Sequence, residues 1–425
     1  MKVYLDTIGC RLNQAEIEKF AGQFHAAGHQ IVASASEADL AVINTCTVTS
    51  QAASDSRQKV RQAWKAGCSR IIPAGCLSTL EGDTLLTLEG VDEVIGNPGK
   101  DHLVNSVLRT TSGEERFTFR QQVEGSRKRT RAFIKAQDGC DQHCTYCITR
   151  YARGNSRSVM IEDVIADIRA AENAGAKEAV LSGVQLGSWG RDLTPATDIA
   201  KLVKRVLDET EIPRIRLSSI EPWDLPDDFY SLWENPRLCR QLHLPLQSGS
   251  AITLKRMGRL NSKESYLKIV KRVRDCVPEL ALTTDIIVGF PGETVEEYEE
   301  SCEFIRIMQF AGGHVFSYSA RPGTPAVSLP GKIDSQIRKS RGAAIRLILA
   351  ESEVVYQNYF VGKSLEVLWE SALPDVNHGW ILGGLTGNYL RIRARNDFPI
   401  INSISKVIIK SRDQFGLTGE VNRLK

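Results

Sequence analysis

Hydrophobic positions along residues 1–110 follow two periods in turn, one typical of strands and one typical of helices. Four short apolar or alternating runs have strand character, namely KVYLDTI, DLAVINT, RIIPAG and VDEVIG. Two longer stretches between them repeat their apolar residues at helical spacing, namely NQAEIEKFAGQFHAAG and SDSRQKVRQAWKAG. Strands that alternate with helices in this way predict an open parallel sheet wrapped by helices.

The same alternation returns with a longer period over residues 132–355. Six strand candidates follow one another, namely AFIKAQ, EAVLSGV, RIRLSSI, RQLHLPLQ, ALTTDIIVGF and GGHVFSYSA. A closed barrel of this type has eight strand–helix units, so six units predict a partial (βα)6 barrel. Polar and small residues gather at the carboxyl ends of these strands, among them Gly183, Glu221 and Asp285. We expect the active site on that face, where such barrels build their sites.

Residues 356–425 change to short alternating strands joined by turns with Gly, Asn and Pro, which predicts a small all-β barrel or sandwich. The expected fold class is therefore α/β with an all-β C-terminal domain. Arg391, Arg393 and Arg395 alternate along one strand and should share a face. Residues 111–131 are polar and charged, which is typical of a linker, and the basic run 127–131 is a weak indication of phosphate contact.

Composition narrows the class of protein. The formal net charge is +3, which excludes a strongly basic nucleic-acid binder, so any RNA contact has to come from local patches. No apolar run approaches the roughly 18 residues of a membrane span. The first residues also lack the apolar core of a signal peptide. We expect a soluble cytoplasmic protein with no membrane contact.

Ten cysteines in such a chain indicate metal binding or thiol chemistry rather than disulfides. Cys10, Cys46 and Cys76 each come directly after a predicted strand of the first sheet. The carboxyl ends of parallel strands share one edge, where ligands bind, so these three cysteines are expected to converge there. Three unrelated loop cysteines are the alternative. Four others are expected to be small buried apolar side chains in helix-like stretches, namely Cys68, Cys239, Cys276 and Cys302.

Cys140, Cys144 and Cys147 form a second group within eight residues, on the loop after the first barrel strand. Structural zinc normally takes four protein ligands, and no second cysteine pair stands at zinc-finger spacing. His143, between them, is expected at the surface. An iron–sulfur cubane is usually held by four thiolates, so three would leave one iron open for a substrate or cofactor. An open coordination site is typical of catalysis.

The motif Cys140-x3-Cys144-x2-Cys147, after the first strand of a partial barrel, resembles the signature of the radical S-adenosylmethionine superfamily. The resemblance implies a [4Fe–4S] cluster on these cysteines, whose open iron binds the amino and carboxylate groups of S-adenosylmethionine. It further implies reductive cleavage to a 5′-deoxyadenosyl radical, which abstracts hydrogen from an unreactive C–H bond. By the same resemblance Tyr146 packs near the adenine, with simple loop packing as the alternative.

Over essentially the whole chain, four stretches resemble the methylthiotransferases of that superfamily, namely TIGCRLNQAEIE, NTCTVTSQAASDSRQ, AGCLS and DGCDQHCTYCITRYARGNSRS. This resemblance implies a second [4Fe–4S] cluster on Cys10, Cys46 and Cys76, where sulfur is bound and methylated. It implies that 356–425 is an RNA-binding TRAM domain and that the partner is a tRNA. It also implies an electron donor such as a flavodoxin or ferredoxin, and a sulfur source. A monomer is expected.

The branch of that family is indicated by GCRLNQAEIE together with QDGCDQHCTYC, which look closest to enzymes acting on N6-threonylcarbamoyladenosine in tRNA. The implied reaction adds a methylthio group to carbon 2 of this adenine, next to the anticodon. Alternatives with the same chemistry act on isopentenyl-adenosine in tRNA or on a ribosomal protein aspartate. An alternative of another class is a non-catalytic, zinc-binding RNA adaptor. Thr149-Arg150 stands where the family usually has an Ile-Pro-like pair, which affects the loop near the substrate.

Other residues receive roles from the resemblance alone. Gly183 would let S-adenosylmethionine approach the backbone closely, and Glu221 and Asp285 would hold its ribose or amino groups. Ordinary strand-end polarity is the alternative for these three. Arg153 and Arg157 are candidates for contact with tRNA phosphates, and simple solvent exposure is their alternative.

Overall fold

The computed structural model describes residues 1–109, 130–375 and 379–422 of the 425-residue chain. The predicted linker, 111–131, lies outside the described residues except for its last two positions. Arg131 is described and begins the first barrel strand. Its guanidinium pairs with the Glu370 carboxylate at 2.6 Å, so this member of the basic run contacts the C-terminal part of the chain.

The N-terminal part is an all-parallel, five-stranded sheet in the order β2-β1-β3-β4-β5. Its strands are β1 Lys2–Thr7, β2 Gln30–Val32, β3 Leu40–Thr45, β4 Ile71–Gly75 and β5 Ile95–Gly96. Its helices are α1 Arg11–Ala26, α2 Ser50–Lys65, α3 Cys76–Leu80, α4 Gly82–Leu86 and α5 Leu103–Leu108. The open parallel sheet predicted from the sequence is confirmed.

Two details of this sheet differ from the prediction. The pattern missed β2, because its three residues are too few for a detectable alternation. The stretch VDEVIG supplies only the two residues of β5, since Asp92 faces solvent and Val91 makes a single bridge to Ile71. The central strands β3 and β4 are buried at every position, as expected for continuous apolar strands covered on both faces.

The central part is the predicted partial barrel. Its strands are β6 Arg131–Lys135, β7 Gln137–Asp138, β8 Arg157–Ser158, β9 Glu178–Ser182, β10 Arg214–Leu217, β11 Gln241–His243, β12 Ala281–Val288 and β13 Gly312–Ser317. Its helices are α6 Thr149–Arg153, α7 Ile161–Asn173, α8 Ile199–Glu209, α9 Ala251–Arg256, α10 Lys263–Cys276, α11 Val295–Met308 and α12 Ser335–Asn358. The parallel sheets β6-β9-β10 and β11-β12-β13 are joined by a bridge between Ser219 and His243, while β7 and β8 pair antiparallel.

The inner face of the half-barrel is covered by α1 from the N-terminal part. Apolar residues on the outer face of β6, β9 and β10 pack against the barrel helices. On the inner face, Ala15 of α1 packs against Phe133 of β6 and Val180 of β9. Because Cys10 is the N-cap of α1, this packing carries one edge of the N-terminal sheet to the barrel.

The C-terminal part is a closed barrel in the order β14-β15-β16-β18-β17, which confirms the predicted all-β module. Its strands are β14 Ser364–Pro374, β15 Trp380–Thr386, β16 Arg391–Asn396, β17 Ile404–Asp413 and β18 Gly416–Val421. In β16, Ile392 and Ala394 are buried, so the three alternating arginines lie on the outer face as predicted. No helix among the described residues has the length and apolar character needed to cross a membrane.

A buried ion pair joins this barrel to the central one. Glu178 of β9 and Arg216 of β10 are both fully buried, and two nitrogens of the guanidinium donate to the carboxylate at 2.7 and 3.1 Å. Arg216 also donates to the Thr386 carbonyl at 3.0 Å. Burial raises the pKa of Glu178, but Arg216 and Arg214 outweigh it and hold that pKa at about 2. The carboxylate is therefore charged across the physiological range.

Removing one partner of this pair should destabilise the fold strongly. Arg216→Met leaves Glu178 buried with Arg214 alone, whose guanidinium lies 3.3 Å away. We expect a loss of about 3 kcal/mol in the free energy of unfolding, measured by urea denaturation. Arg205→Met removes solvent-exposed pairs with Glu209 and Glu162 and should change that free energy little. Equal effects of the two substitutions would contradict a structural role for the buried pair.

Candidate active site

The structure brings Cys10, Cys46 and Cys76 to one edge of the N-terminal sheet. Cys10 follows β1, Cys46 follows β3 and Cys76 follows β4, and these three strands are neighbours. Gly9 adopts φ +104°, and a Cβ there would lie 2.6 Å from the Cys46 Sγ, so only glycine permits this approach of the two loops. We call these three cysteines the N-terminal triplet.

Polar side chains tie the three strand ends together. The Asn13 amide donates to the carbonyls of Ile8 at 2.7 Å and Thr45 at 3.1 Å. The Thr45 hydroxyl donates to the Ala74 carbonyl at 2.6 Å. The loops that carry the triplet are therefore fixed by hydrogen bonds from α1 and β3, as a preorganised ligand set requires.

Burial raises the pKa of Cys10 and of Cys46, so these two thiols of the N-terminal triplet favour the protonated form in the absence of a metal. Burial, with smaller contributions from the neighbouring thiols of Cys10 and Cys76, raises the pKa of Cys46 to about 11. The Asn97 amide donates to the Cys76 Sγ at 3.5 Å, and the Cys10 Sγ lies 3.8 Å from the Asn13 Oδ1. A bound metal would replace the thiol protons.

Cys140, Cys144 and Cys147, the loop triplet, occupy the loop between β7 and α6. The Cys140 N–H donates to the Gly154 carbonyl at 3.1 Å, and the Cys147 N–H donates to the Cys144 carbonyl at 3.1 Å. Gly139 adopts φ +72°, and a Cβ there would lie 1.9 Å from the Asn155 carbonyl oxygen. The loop is thus closed on itself at both ends, which holds the three thiols on one short segment.

The thiols of the loop triplet are also in a partly desolvated place. Burial raises the pKa of Cys140 to about 12, with a smaller contribution from the other two thiols. The Cys140 Sγ donates to the Gln185 Oε1 at 3.1 Å, and the Gln142 N–H lies 3.4 Å from the same sulfur. His143 is exposed and contacts the Arg150 guanidinium, as expected for a surface residue.

Tyr146 and Glu221 lie near the loop triplet. The Tyr146 ring packs edge-on against Phe290, with 6.3 Å between ring centroids. The Glu221 carboxylate accepts two hydrogen bonds from Arg259, at 2.6 and 2.9 Å. Burial raises the pKa of Cys144, and the charge of Arg259 opposes that rise, which places this guanidinium beside the triplet. Glu221 is therefore already held by a cation.

Gly183 and Asp285 occupy different depths of the half-barrel. Gly183 lies at the carboxyl end of β9, where a Cβ would be 2.8 Å from the Gln137 Oε1. Asp285 was expected at a strand end, but it lies in the middle of β12, because that strand continues to Val288. Its Oδ2 lies 3.3 Å from the His243 Nε2, and its Oδ1 is buried with no hydrogen-bond partner among the residues that the structure describes.

Two expectations about other residues are wrong. Arg153 was a candidate for phosphate contact, but its side chain is 1% exposed and pairs with Glu16 and Asp138 at 3.1 and 2.8 Å. The other candidate, Arg157, is half exposed and lies 3.9 Å from Asp138, so its contact with phosphate stays a prediction. Cys276 was expected to be buried and is exposed, because it ends α10, whereas the other three cysteines of that group are buried.

The donor set fits an iron–sulfur cubane better than a single ion. Among the described parts of the chain, no three His, Cys, Asp or Glu side chains converge tightly enough to hold one metal ion. A cubane places each thiolate on a different iron, so its ligands need not converge on one atom. Two sets of soft thiolates on loops at strand ends match that requirement.

Two family models and many relatives match this chain. The Radical SAM superfamily model matches residues 134–305, and the model described as Uncharacterized protein family UPF0004 matches residues 2–96. Threonylcarbamoyladenosine tRNA methylthiotransferase MtaB of Bacillus subtilis (strain 168) is 33% identical over 96% of this chain and 93% of its own length. The chain belongs to the radical S-adenosylmethionine methylthiotransferase family. Enzymes of this family use S-adenosylmethionine and [4Fe–4S] clusters.

Other methylthiotransferase relatives carry a different substrate name. A tRNA-2-methylthio-N(6)-dimethylallyladenosine synthase of Clostridium botulinum (strain Hall) is 31% identical over 98% of this chain and 96% of its own length. Among solved structures, the radical S-adenosylmethionine methyltransferase TsrM of Kitasatospora setae aligns with a TM-score of 0.56 and 12% identity. The alignment covers 74% of this chain and 72% of that one, and it supports the fold.

The predictions from sequence did not include the polar residues that contact the cysteine sulfurs of the two triplets. Asn13, Asn97 and Gln185 each contact a cysteine sulfur of one triplet. Asn97 directly follows β5, so its strand-end position was a usable signal. Asn13 lies one helical turn after Cys10, which was a second signal. Nothing in the local pattern around Gln185 indicated its contact with Cys140.

A matched pair of glycine substitutions tests the geometry of the loop triplet. Gly139→Ala combines a left-handed φ with a clash against Asn155, and we expect about four of eight irons per chain to be lost on anaerobic reconstitution. Gly154→Ala has φ +76° and ψ −161° and open space around the new Cβ, so it introduces backbone strain of about 1–3 kcal/mol without a clash and should leave the iron content unchanged. Full iron in the Gly139→Ala protein would show that the loop tolerates rearrangement.

Proposed function

We propose that this protein is a tRNA methylthiotransferase that adds a methylthio group to carbon 2 of N6-threonylcarbamoyladenosine next to the anticodon. The observation that carries the proposal is the presence of two thiol triplets, one on each side of the contact between the N-terminal sheet and the half-barrel. Near full-length similarity to threonylcarbamoyladenosine tRNA methylthiotransferases supports this choice of nucleoside.

The assignment of residues is part of the proposal. Residues 1–110 form the domain whose triplet holds one [4Fe–4S] cluster, 111–131 are the linker, 132–355 are the radical S-adenosylmethionine core and 356–425 are a TRAM-like domain. The loop triplet holds the cluster whose open iron binds S-adenosylmethionine. When bound, that cluster supplies the electron for reductive cleavage of the sulfonium.

The chain's own side chains contribute binding and orientation. Tyr146, fixed by Phe290, offers an apolar face for the adenine of S-adenosylmethionine. Gly183 stays the proposed point of close approach to the backbone, although the Gln137 side chain already fills the space where a Cβ would lie. Glu221 is oriented by Arg259 to receive the amino or ribose groups, and Asp285 offers a carboxylate deeper in the half-barrel.

RNA contact is proposed for the C-terminal barrel. Arg391 on the outer face of β16 is exposed and forms no ion pair among the residues that the structure describes. Phe398 and Phe415 are 71% and 69% exposed. Exposed rings suit the stacking of unpaired bases, and an exposed arginine such as Arg391 suits the attraction of phosphates. Arg393 and Arg395 are instead paired with Asp413 and Asp375.

A second candidate substrate is dimethylallyladenosine, because relatives with that name are nearly as similar as those named for threonylcarbamoyladenosine. Mass spectrometry of tRNA nucleosides from cells with and without the gene separates the two. Loss of the methylthio mass on threonylcarbamoyladenosine alone supports the proposal. Loss on the dimethylallyl nucleoside alone would replace the substrate and keep the chemistry.

The remaining partners are proposed from the reaction. A flavodoxin or ferredoxin would supply electrons, a separate sulfur source would supply the inserted atom, and the chain would act as a monomer. A zinc-binding RNA adaptor is the rival of another class. Anaerobic purification followed by metal and sulfide assays tests this alternative. Zinc without sulfide would contradict the proposed enzyme, and about eight irons per chain would support the enzyme.

Two cysteine substitutions should separate the two triplets. Cys144→Ala removes a ligand of the S-adenosylmethionine cluster and should abolish 5′-deoxyadenosine formation. Cys46→Ala removes a ligand of the other cluster, so it should retain measurable 5′-deoxyadenosine formation and lose the methylthio product. Both are measured by chromatography of the same reaction mixture. Cys276→Ala changes an exposed cysteine at the end of α10 and serves as the matched control. Methylthio product from the Cys46→Ala protein would refute the division of labour.

A further inference from the structure

Asn13 connects the N-terminal triplet to the helix that follows the loop triplet. Its Oδ1 lies 3.8 Å from the Cys10 Sγ and accepts a hydrogen bond from the Arg153 guanidinium at 2.5 Å. Arg153 is the last residue of α6, which begins two residues after Cys147. One amide oxygen is therefore shared by a thiol of the N-terminal sheet and a cation of the half-barrel.

Asn97 makes the same type of connection through its side-chain amide nitrogen. Its Nδ2 donates to the Cys76 Sγ at 3.5 Å and to the Ala152 carbonyl at 2.6 Å. Ala152 directly precedes Arg153 in α6. Two of the three thiols in the N-terminal triplet are thus tied, each through one asparagine, to the same short helix.

Arg153 also places a buried positive charge beside the N-terminal triplet. Its side chain is 1% exposed, and Glu16 and Asp138 are its carboxylate partners. Lys100 and Lys135 pair with the same two carboxylates. We call Arg153, Lys100, Lys135, Glu16 and Asp138 the interface network. The more exposed Asp101 lies 4.0 Å from Lys135 and Arg157 lies 3.9 Å from Asp138, so four cations meet three anions and one positive charge is in excess. This excess charge lies beside thiolates that carry negative charge when a metal is bound.

We propose that Arg153 is a positioning residue that couples the two triplets: it holds Asn13 against Cys10 and supplies a buried cation that favours the reduced form of the centre on the N-terminal triplet. The inference rests on the proposed function, because it takes both triplets as cluster ligands. Net charge near the sulfurs is one of the factors by which a protein sets the potential of such a centre, and it carries the inference, because the Asn13 Oδ1 accepts hydrogen bonds and can donate none to a thiolate.

The test isolates the centre of the N-terminal triplet in the full-length chain. Replacing all three cysteines of the loop triplet with alanine leaves one centre to observe. Redox titration of the reconstituted protein, followed by electron paramagnetic resonance, gives its midpoint potential. In that background Arg153→Met should shift the potential to more negative values, lowering the ratio of reduced to oxidised centre at a fixed potential by about tenfold or more. Arg153→Lys keeps the charge and should recover most of the shift.

A matched control separates this effect from general destabilisation. Arg216→Met also deprives a buried carboxylate of its guanidinium, at the far end of the half-barrel from the triplets, and should leave the potential unchanged. An unchanged potential in the Arg153→Met protein would overturn the inference while leaving the proposed function intact. A background protein that binds no iron or sulfide would instead overturn the proposed function.

The contacts of α6 with Asn13 and Asn97 are tested separately, in the protein that keeps both triplets. Pulsed electron paramagnetic resonance between the two reduced centres reports the distribution of distances between them. Asn97→Ala removes the bond to Ala152 and should broaden that distribution, and Arg153→Met should broaden it further. If both variants give the same distance distribution as the unmodified protein, the positioning role is overturned. This holds even where the substitution reduces the overall stability of the variant.

Discussion

The arrangement of this protein depends on how one buried carboxylate is neutralised. Glu16 of α1 is 4% exposed and receives Lys100 from its own domain at 2.5 Å and Arg153 from the half-barrel at 3.1 Å. Burial raises the pKa of Glu16, but these cations and Lys135 hold it well below its usual value. Lys100 pairs Glu16 within the N-terminal part, and the half-barrel adds Arg153 and Lys135, so the observed orientation of the two parts buries this carboxylate with three cations around it.

That orientation brings the two thiol triplets to the same region of the molecule. The interface network lies on one side, where α6 follows the loop triplet and Cys10 begins α1. On the other side, the Arg321 guanidinium donates to the Thr47 hydroxyl next to Cys46, and Ser50 meets Ser319 at 3.0 Å. Contacts on both sides of the N-terminal triplet restrict rocking of the sheet against the barrel. The proposed reaction between two centres would need such a fixed orientation.

The sequence predicted what depends on local pattern, and it failed where the decisive partner is distant in the chain. Strand ends placed Cys10, Cys46 and Cys76 at one edge, because side-chain periodicity and parallel topology are enough for that step. Arg153 was misplaced, since its partners Glu16 and Asn13 lie about 140 positions away and a surface arginine has the same local pattern. Asp285 was misplaced although the strand candidate ALTTDIIVGF already continued past it, because its polar side chain suggested a strand end.

An ionic contact next to the triplets also explains why this interface is not simply apolar. Ala15, Phe133 and Val180 supply the apolar part of the contact, and such side chains tolerate small sliding motions with little loss of energy. A guanidinium that donates to two carboxylates and an amide has fixed directions, so sliding breaks hydrogen bonds that no water replaces. Buried ion pairs contribute little net stability compared with apolar packing. We infer that this one is retained for the geometry that it imposes on the thiols beside it.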